Sequence, residues 1–194
     1  MDRDYILNRL VPYSLGAVSA LALALKYRMA WDAPRRMEIY FDGKLSIEGN
    51  SNAFINPAIE AGLIHCRALL EFLGLCVQGS HLQNVKLPRR RQDDVGIESF
   101  SNSSGPLGLV TPTVAISHYS GPALQAESAL LAVFHAANKG FAHFTDGFDA
   151  SLVDGDAMEV ASRGVPSLVI SHLYTPLGLP APDFEIKGRP RSGC

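Results

Sequence analysis

Between Arg9 and Lys26 the chain carries no charge. Leu10 to Leu25 reads LVPYSLGAVSALALAL. A run of this kind must be hidden from water, either in a protein core or in a bilayer. A membrane-spanning helix needs about 20 apolar residues. This run is shorter and is interrupted by Pro12, Tyr13, Ser14, Gly16 and Ser19. A secretory signal would have a basic start and a small-residue cleavage site, whereas here Asp2 and Asp4 accompany Arg3. The expectation is a core helix over residues 4–30, capped by Asp2 or Asp4 and bent at Pro12. Its alanine-rich second half favours helix, and its small residues allow another helix to come close.

There is enough other apolar material to cover it. The chain has 194 residues, 47% of them hydrophobic and 19% charged, which fits one folded domain and excludes a disordered chain. The formal net charge of −2 does not advertise a nucleic-acid partner, although a local basic patch can still bind phosphate. Cys66, Cys76 and Cys194 form no CxxC pair and are odd in number. A disulfide framework and a zinc site are both disfavoured, and reduced thiols in a cytoplasm are expected.

Further elements follow from pattern and punctuation. MEIYFDGKLSIEG alternates around Asp42-Gly43, a turn signal for a β-hairpin. A helix over 57–77 is expected next, with Asn56 as N-cap, Pro57 in the first position and Glu60 in the first turn. Ile59, Leu63, Cys66, Leu70 and Leu73 form its apolar stripe. Residues 81–112 read as a long polar loop, and a helix over 122–143 begins after Ser120-Gly121. A last helical region covers 149–174, with Gly164-Val165-Pro166 expected to interrupt it. The proline-rich segment 176–194 is expected to be an extended tail to a single domain over 1–175. The class expected from this pattern is all-α: a helical bundle of roughly four to five helices, a long polar loop and a small β-hairpin.

Few residues invite a chemical role. His135, Lys139 and His143 are spaced four apart and would share one helical face if the helix passes Gly140. Such a row would favour a phosphate-bearing ligand, and a histidine near neutrality moves protons in phosphodiester cleavage. Alternatively, Gly140 ends the helix and His143 lies in a turn. On the preceding helix, Arg67 shares a face with Glu60 and Glu71, while His65 falls in an apolar stripe. Arg67 is either half of a polar seam or an anion-binding fork. Arg89, Arg90 and Arg91 form a basic run offset by Asp93 and Asp94. No nucleotide-loop, zincin or hydrolase motif is present, and no metal or cofactor is expected.

Two stretches carry a resemblance. AIEAGLIHCRALLEFLG resembles the HxRxLLxFL helix, and ANKGFAHFT the xKxLAHLT segment, of a group of small bacterial helical proteins. RRQDDV between them also fits. That group is similar in outline to the HEPN superfamily of helical-bundle proteins. The resemblance implies a homodimer that binds RNA or a nucleotide, with metal-independent ribonuclease activity in many members. On the motif, His143 takes the histidine position and Asn138 the polar position, whereas Ala137 stands where the arginine belongs. The resemblance therefore implies His143, Lys139 and Asn138 as the catalytic set. Arg67, His65, His135 and Arg89 to Arg91 would bind substrate. The competing expectation is a non-enzymatic structural or interaction module in which the same residues are buried.

Overall fold

Pro12 decides how the first helix is built. The computed structural model describes residues 2–87, 94–140 (the backbone alone at 139 and 140) and 155–188. Helix α1 spans Arg3–Ala30. The Asp2 carboxylate caps it, accepting the Tyr5 N–H at 3.0 Å. Ile6–Leu10 form a π turn in which the Val11 N–H reaches the Ile6 carbonyl. Pro12 has no N–H, so the Leu7 carbonyl has no helical donor. Tyr174, far along the chain, supplies one, its hydroxyl donating to the Leu7 oxygen at 2.8 Å. Burial pushes the Tyr174 phenol up to about 12, so it stays a protonated donor at ordinary pH.

By length and composition α1 is apolar enough to cross a membrane, yet Val11, Leu15, Val18, Leu21 and Leu25 are buried within the fold. Helix α2, Asn52–Phe72, runs antiparallel to it. The two meet at Gly62. A β-carbon there would overlap Leu21 Cβ and lie 3.0 Å from the Ala17 carbonyl oxygen. Ile55, Ile59, Leu63, Cys66 and Leu70 of α2 line the core beside that crossing.

α2 starts earlier and stops earlier than 57–77. Asn56 is not its cap, and Pro57 lies inside the helix. Ser51 precedes the first turn, and its hydroxyl accepts the Arg35 N–H at 2.9 Å. Gly74, at φ +96°, ends the helix just after Leu73. Leu75–Gln78 then forms strand β3 against β4, His81–Asn84, around a turn at Gly79. Asn84 fastens the corner by donating to the carbonyls of Gly74 at 3.0 Å and Val110 at 2.8 Å.

Strands β1, Arg36–Phe41, and β2, Lys44–Asn50, form the expected hairpin at Asp42-Gly43, both residues at positive φ. The last pair, β5 at Ser101–Asn102 and β6 at Gly105–Pro106, is very short. The class is therefore mixed α/β and not all-α, with 57% helix and 15% strand in three small antiparallel sheets. The loop expected over 81–112 contains β4, β5 and β6, and it buries Ile97, Phe100, Leu107 and Val110. Those isolated apolar residues anchor it to the core without any periodicity.

Helix α3, Pro112–Ser117, begins with Thr111 accepting the Val114 N–H. Helix α4, Ala123–His135, continues as a π turn over Ala136–Gly140. Helix α5, Gly155–Val169, continues as a π turn over Ile170–Tyr174. The expected break at Gly164-Val165-Pro166 is absent. Val165 and Pro166 are buried in α5, and that apolar burial offsets the hydrogen bond Pro166 cannot make. α1 packs on α2 and α5, and α5 packs on α4, so the helices do bundle around one core. Residues 179–188 run without helix or strand along α1, where Ser19 Oγ accepts the Ile186 N–H at 2.8 Å.

Two substitutions test these constraints. Gly62→Ala is expected to lower the unfolding free energy by about 2 kcal/mol, because two backbones must move apart. Tyr174→Phe is expected to cost about 1–2 kcal/mol by orphaning the Leu7 carbonyl. Urea denaturation followed by circular dichroism measures both. An unchanged midpoint in either variant contradicts the corresponding contact.

Candidate functional site

The two residues singled out on α2 point to different partners. His65 is half-buried. Its Nδ1 shares a hydrogen bond of 3.1 Å with Ser14 Oγ of α1, and its ring meets Tyr13 edge-on with centroids 5.1 Å apart. Burial holds the imidazole below its ordinary value of 6.5, so it is neutral at neutral pH. Arg67 lies round the helix from it and bonds Glu71 through Nε at 2.9 Å, one turn along α2. Both side chains of that pair are more than a third exposed. Its contribution to stability is therefore small. Neither residue approaches the other, so α2 presents no joint His65–Arg67 site.

At the end of α4, His135 is half-buried and Asn138 is exposed. The backbone over Ala136–Gly140 takes π-helical bonding and packs against α2. Gly140 therefore does not end the helix at Lys139 in the left-handed conformation. The Lys139 side chain, His143 and Arg89, Arg90 and Arg91 lie outside the described residues. Among the described residues, no group of three or more histidine, cysteine or acidic side chains is placed to hold a metal.

The structure assembles two other groupings. His118, following α3, places Nε2 2.8 Å from Ser167 Oγ of α5, and its ring lies tilted 6.0 Å from that of His172. Burial and then the neighbouring His118 hold His172 below its ordinary value. In the sequence His118 reads as a loop histidine, and nothing in its local pattern points to a residue 49 positions away.

Beside this trio, α1, α5 and the segment 184–188 line an open cleft of about 510 Å³. Ser19, Leu23 and Lys26 come from α1, and Arg163, Ser167 and Ile170 from α5. Phe184 and Glu185 line it from the chain's last described stretch. Arg163 meets Glu159 at 3.5 Å, with both side chains largely exposed. Among the described residues neither Lys26 nor Glu185 is in an ion pair. No sequence motif marks this cleft, since its residues are contributed one or two at a time by distant segments.

Comparison with protein-family models, curated proteins and solved structures yields no match to the chain, so its own geometry carries the functional reading.

A pH dependence follows from the two depressed histidines. Each binds its proton more weakly when folded than when unfolded, so the unfolded state gains protons first on acidification. Their contribution to stability is complete above pH 6.5 and declines as pH falls below it. The melting temperature is expected to drop between pH 7 and pH 5.5. His65→Asn combined with His172→Asn should flatten that slope. An unaltered slope in the double variant assigns the effect to other groups.

Proposed function

We propose that this chain is a non-enzymatic interaction module that acts as a homodimer joined through the β1–β2 hairpin. One observation carries the reading. Period-two alternation places Met37, Ile39 and Phe41 on one face of the hairpin, with Ile47 directly across from Ile39. Met37 and Ile39 are half-buried, whereas Phe41 is 61% and Ile47 47% exposed. The other face carries Arg36, bridged to Glu38 at 2.9 Å and to Glu48 at 2.8 Å, and, past the register shift after Ile39, the exposed pair Tyr40 and Leu45. A two-stranded hairpin is marginal in water unless an apolar face is packed. This one touches the body chiefly near the start of α2, so the exposed apolar side chains toward its tip, Phe41 and Ile47 with Tyr40 and Leu45, point to an intermolecular contact.

Its charge favours a second copy over a nucleic acid. Arg35, Arg36 and Lys44 are balanced by Glu38, Asp42 and Glu48, and Arg36 is already engaged. A phosphate backbone calls for an excess of free cations, whereas a two-fold self-contact calls for a surface that does not repel itself. The HEPN-like alternative, RNA or nucleotide binding with ribonuclease activity, has less support. Arg67 is bound to Glu71, and His65 is turned to Ser14. A reducing cytoplasm suits the dimer. Cys66 is buried and free, its thiol pushed well up by burial, and Cys76 is half-buried and free.

Sedimentation equilibrium tests the proposal. The wild type is expected to be a dimer, and Phe41→Glu with Ile47→Glu a folded monomer with an unchanged helical spectrum. A wild type that stays monomeric at about 100 μM, where even weak specific pairs associate, overturns it. So does a double variant that still dimerises.

A further inference from the structure

The cleft between α1 and α5 brings cations from two different helices to one depression. Arg36 and Arg67, by contrast, are each met locally, by Glu38 and Glu48 and by Glu71. In the cleft, Lys26 on α1 and Arg163 on α5 approach the same space from different helices. Lys26 has no ion-pair partner among the described residues, and Arg163 has only a long contact to Glu159. The hydroxyls there are poised unequally. Ser19 Oγ accepts the Ile186 N–H, which leaves its own O–H free to donate. Ser162 donates to the Glu159 carbonyl, which leaves its oxygen free to accept. Leu23, Ile170 and Phe184 add an apolar wall.

We propose that this cleft binds an organic phosphate monoester of mononucleotide or sugar-phosphate size. The phosphate lies between Lys26 and Arg163 and accepts the Ser19 O–H. Two converging cations and a hydroxyl donor match a group with several acceptor oxygens, and the guanidinium offers a two-pronged contact. The volume of about 510 Å³ falls within the range of small-molecule sites, roughly 300–1,000 Å³. Glu185 also lines the cleft and limits the charge it accepts, so a single phosphate suits it better than a polyphosphate. A carboxylate there can accept ligand hydroxyls, as a sugar would provide. The apolar wall, with the Phe184 ring, takes the uncharged body of the ligand. The site does not depend on dimer formation, because the residues named all belong to one chain.

The test is calorimetric titration of the full chain at low salt. The four ribonucleoside 5′-monophosphates and glucose 6-phosphate serve as probes, with adenosine and glucose as neutral controls. At least one phosphate is expected to bind while its neutral counterpart does not. Lys26→Ala and Arg163→Ala should each weaken binding about tenfold, as expected for loss of a charge-assisted contact. Arg9→Ala, an exposed cation outside the cleft, should leave affinity unchanged and serves as the charge control. Lys26 and Arg163 are exposed, so their variants remain folded, which circular dichroism verifies. The proposal is overturned if no phosphate binds at about 1 mM, a concentration at which even weak specific sites fill. It is equally overturned if adenosine or glucose binds as well as its phosphate, or if the Lys26/Arg163 double variant keeps wild-type affinity.

Discussion

The contact of α1 with α2 at Gly62 sets the spacing on which the rest of the fold is laid. With no β-carbon at this position, Leu21 and the Ala17 carbonyl approach the α2 backbone directly. The close crossing brings Leu15, Val18, Leu21 and Leu25 into the same core as Ile59, Leu63, Cys66 and Leu70. It also fixes where the polar residues of α2 fall. His65 is carried onto Ser14 and Tyr13, and Arg67 is rotated away toward Glu71. A wider crossing would loosen His65 from α1 and leave the uncharged run of α1 poorly covered. The neutrality of His65 at ordinary pH is thus a consequence of helix packing.

A second constraint ties the chain's beginning to its end. Pro12 and the π turn before it leave one carbonyl of α1 without a helical donor, and Tyr174 answers it across 167 positions of sequence. A buried carbonyl without a partner costs free energy comparable to a lost hydrogen bond. Docking α5 is therefore part of completing α1, and the two elements are expected to form cooperatively. The cleft depends on that docking as well, since its two cations stand on these two helices.

How much of this was legible follows from the range of each signal. The uncharged run from Leu10 to Leu25 led to a helix with one face buried in the core, and Asp42-Gly43 led to a hairpin, because both are local patterns with a local cause. The strands β3 to β6 were not legible. LCVQ has helical company on one side and no alternation, and only Gly74 at positive φ and the Asn84 clamp turn it into a strand. Pro166 misled in the opposite direction, because burial of its ring outweighs the missing hydrogen bond within α5. For the site, the pattern on α2 placed His65 and Arg67 on different faces and put Arg67 beside Glu71, as found, but not His65 against Ser14 and Tyr13 of α1. The His118–Ser167 contact and the Lys26–Arg163 cleft left no trace in the sequence, since each joins residues that only tertiary packing brings together.

The distribution of charge separates the surface into two kinds of region. On the hairpin and along α2, opposite charges meet within one element, so their fields cancel at short range and contribute little to stability. What such regions leave available is apolar area, which is non-directional and suits a protein partner. In the cleft, Lys26, Arg163 and Glu185 come from three separate segments, and only Arg163 has an opposite charge on its own helix, Glu159 at 3.5 Å. Leu23, Ile170 and Phe184 line the same cleft beside these charges. The proposed dimer contact and the proposed small-molecule site are therefore compatible in one chain, because they draw on different surfaces and on different forces.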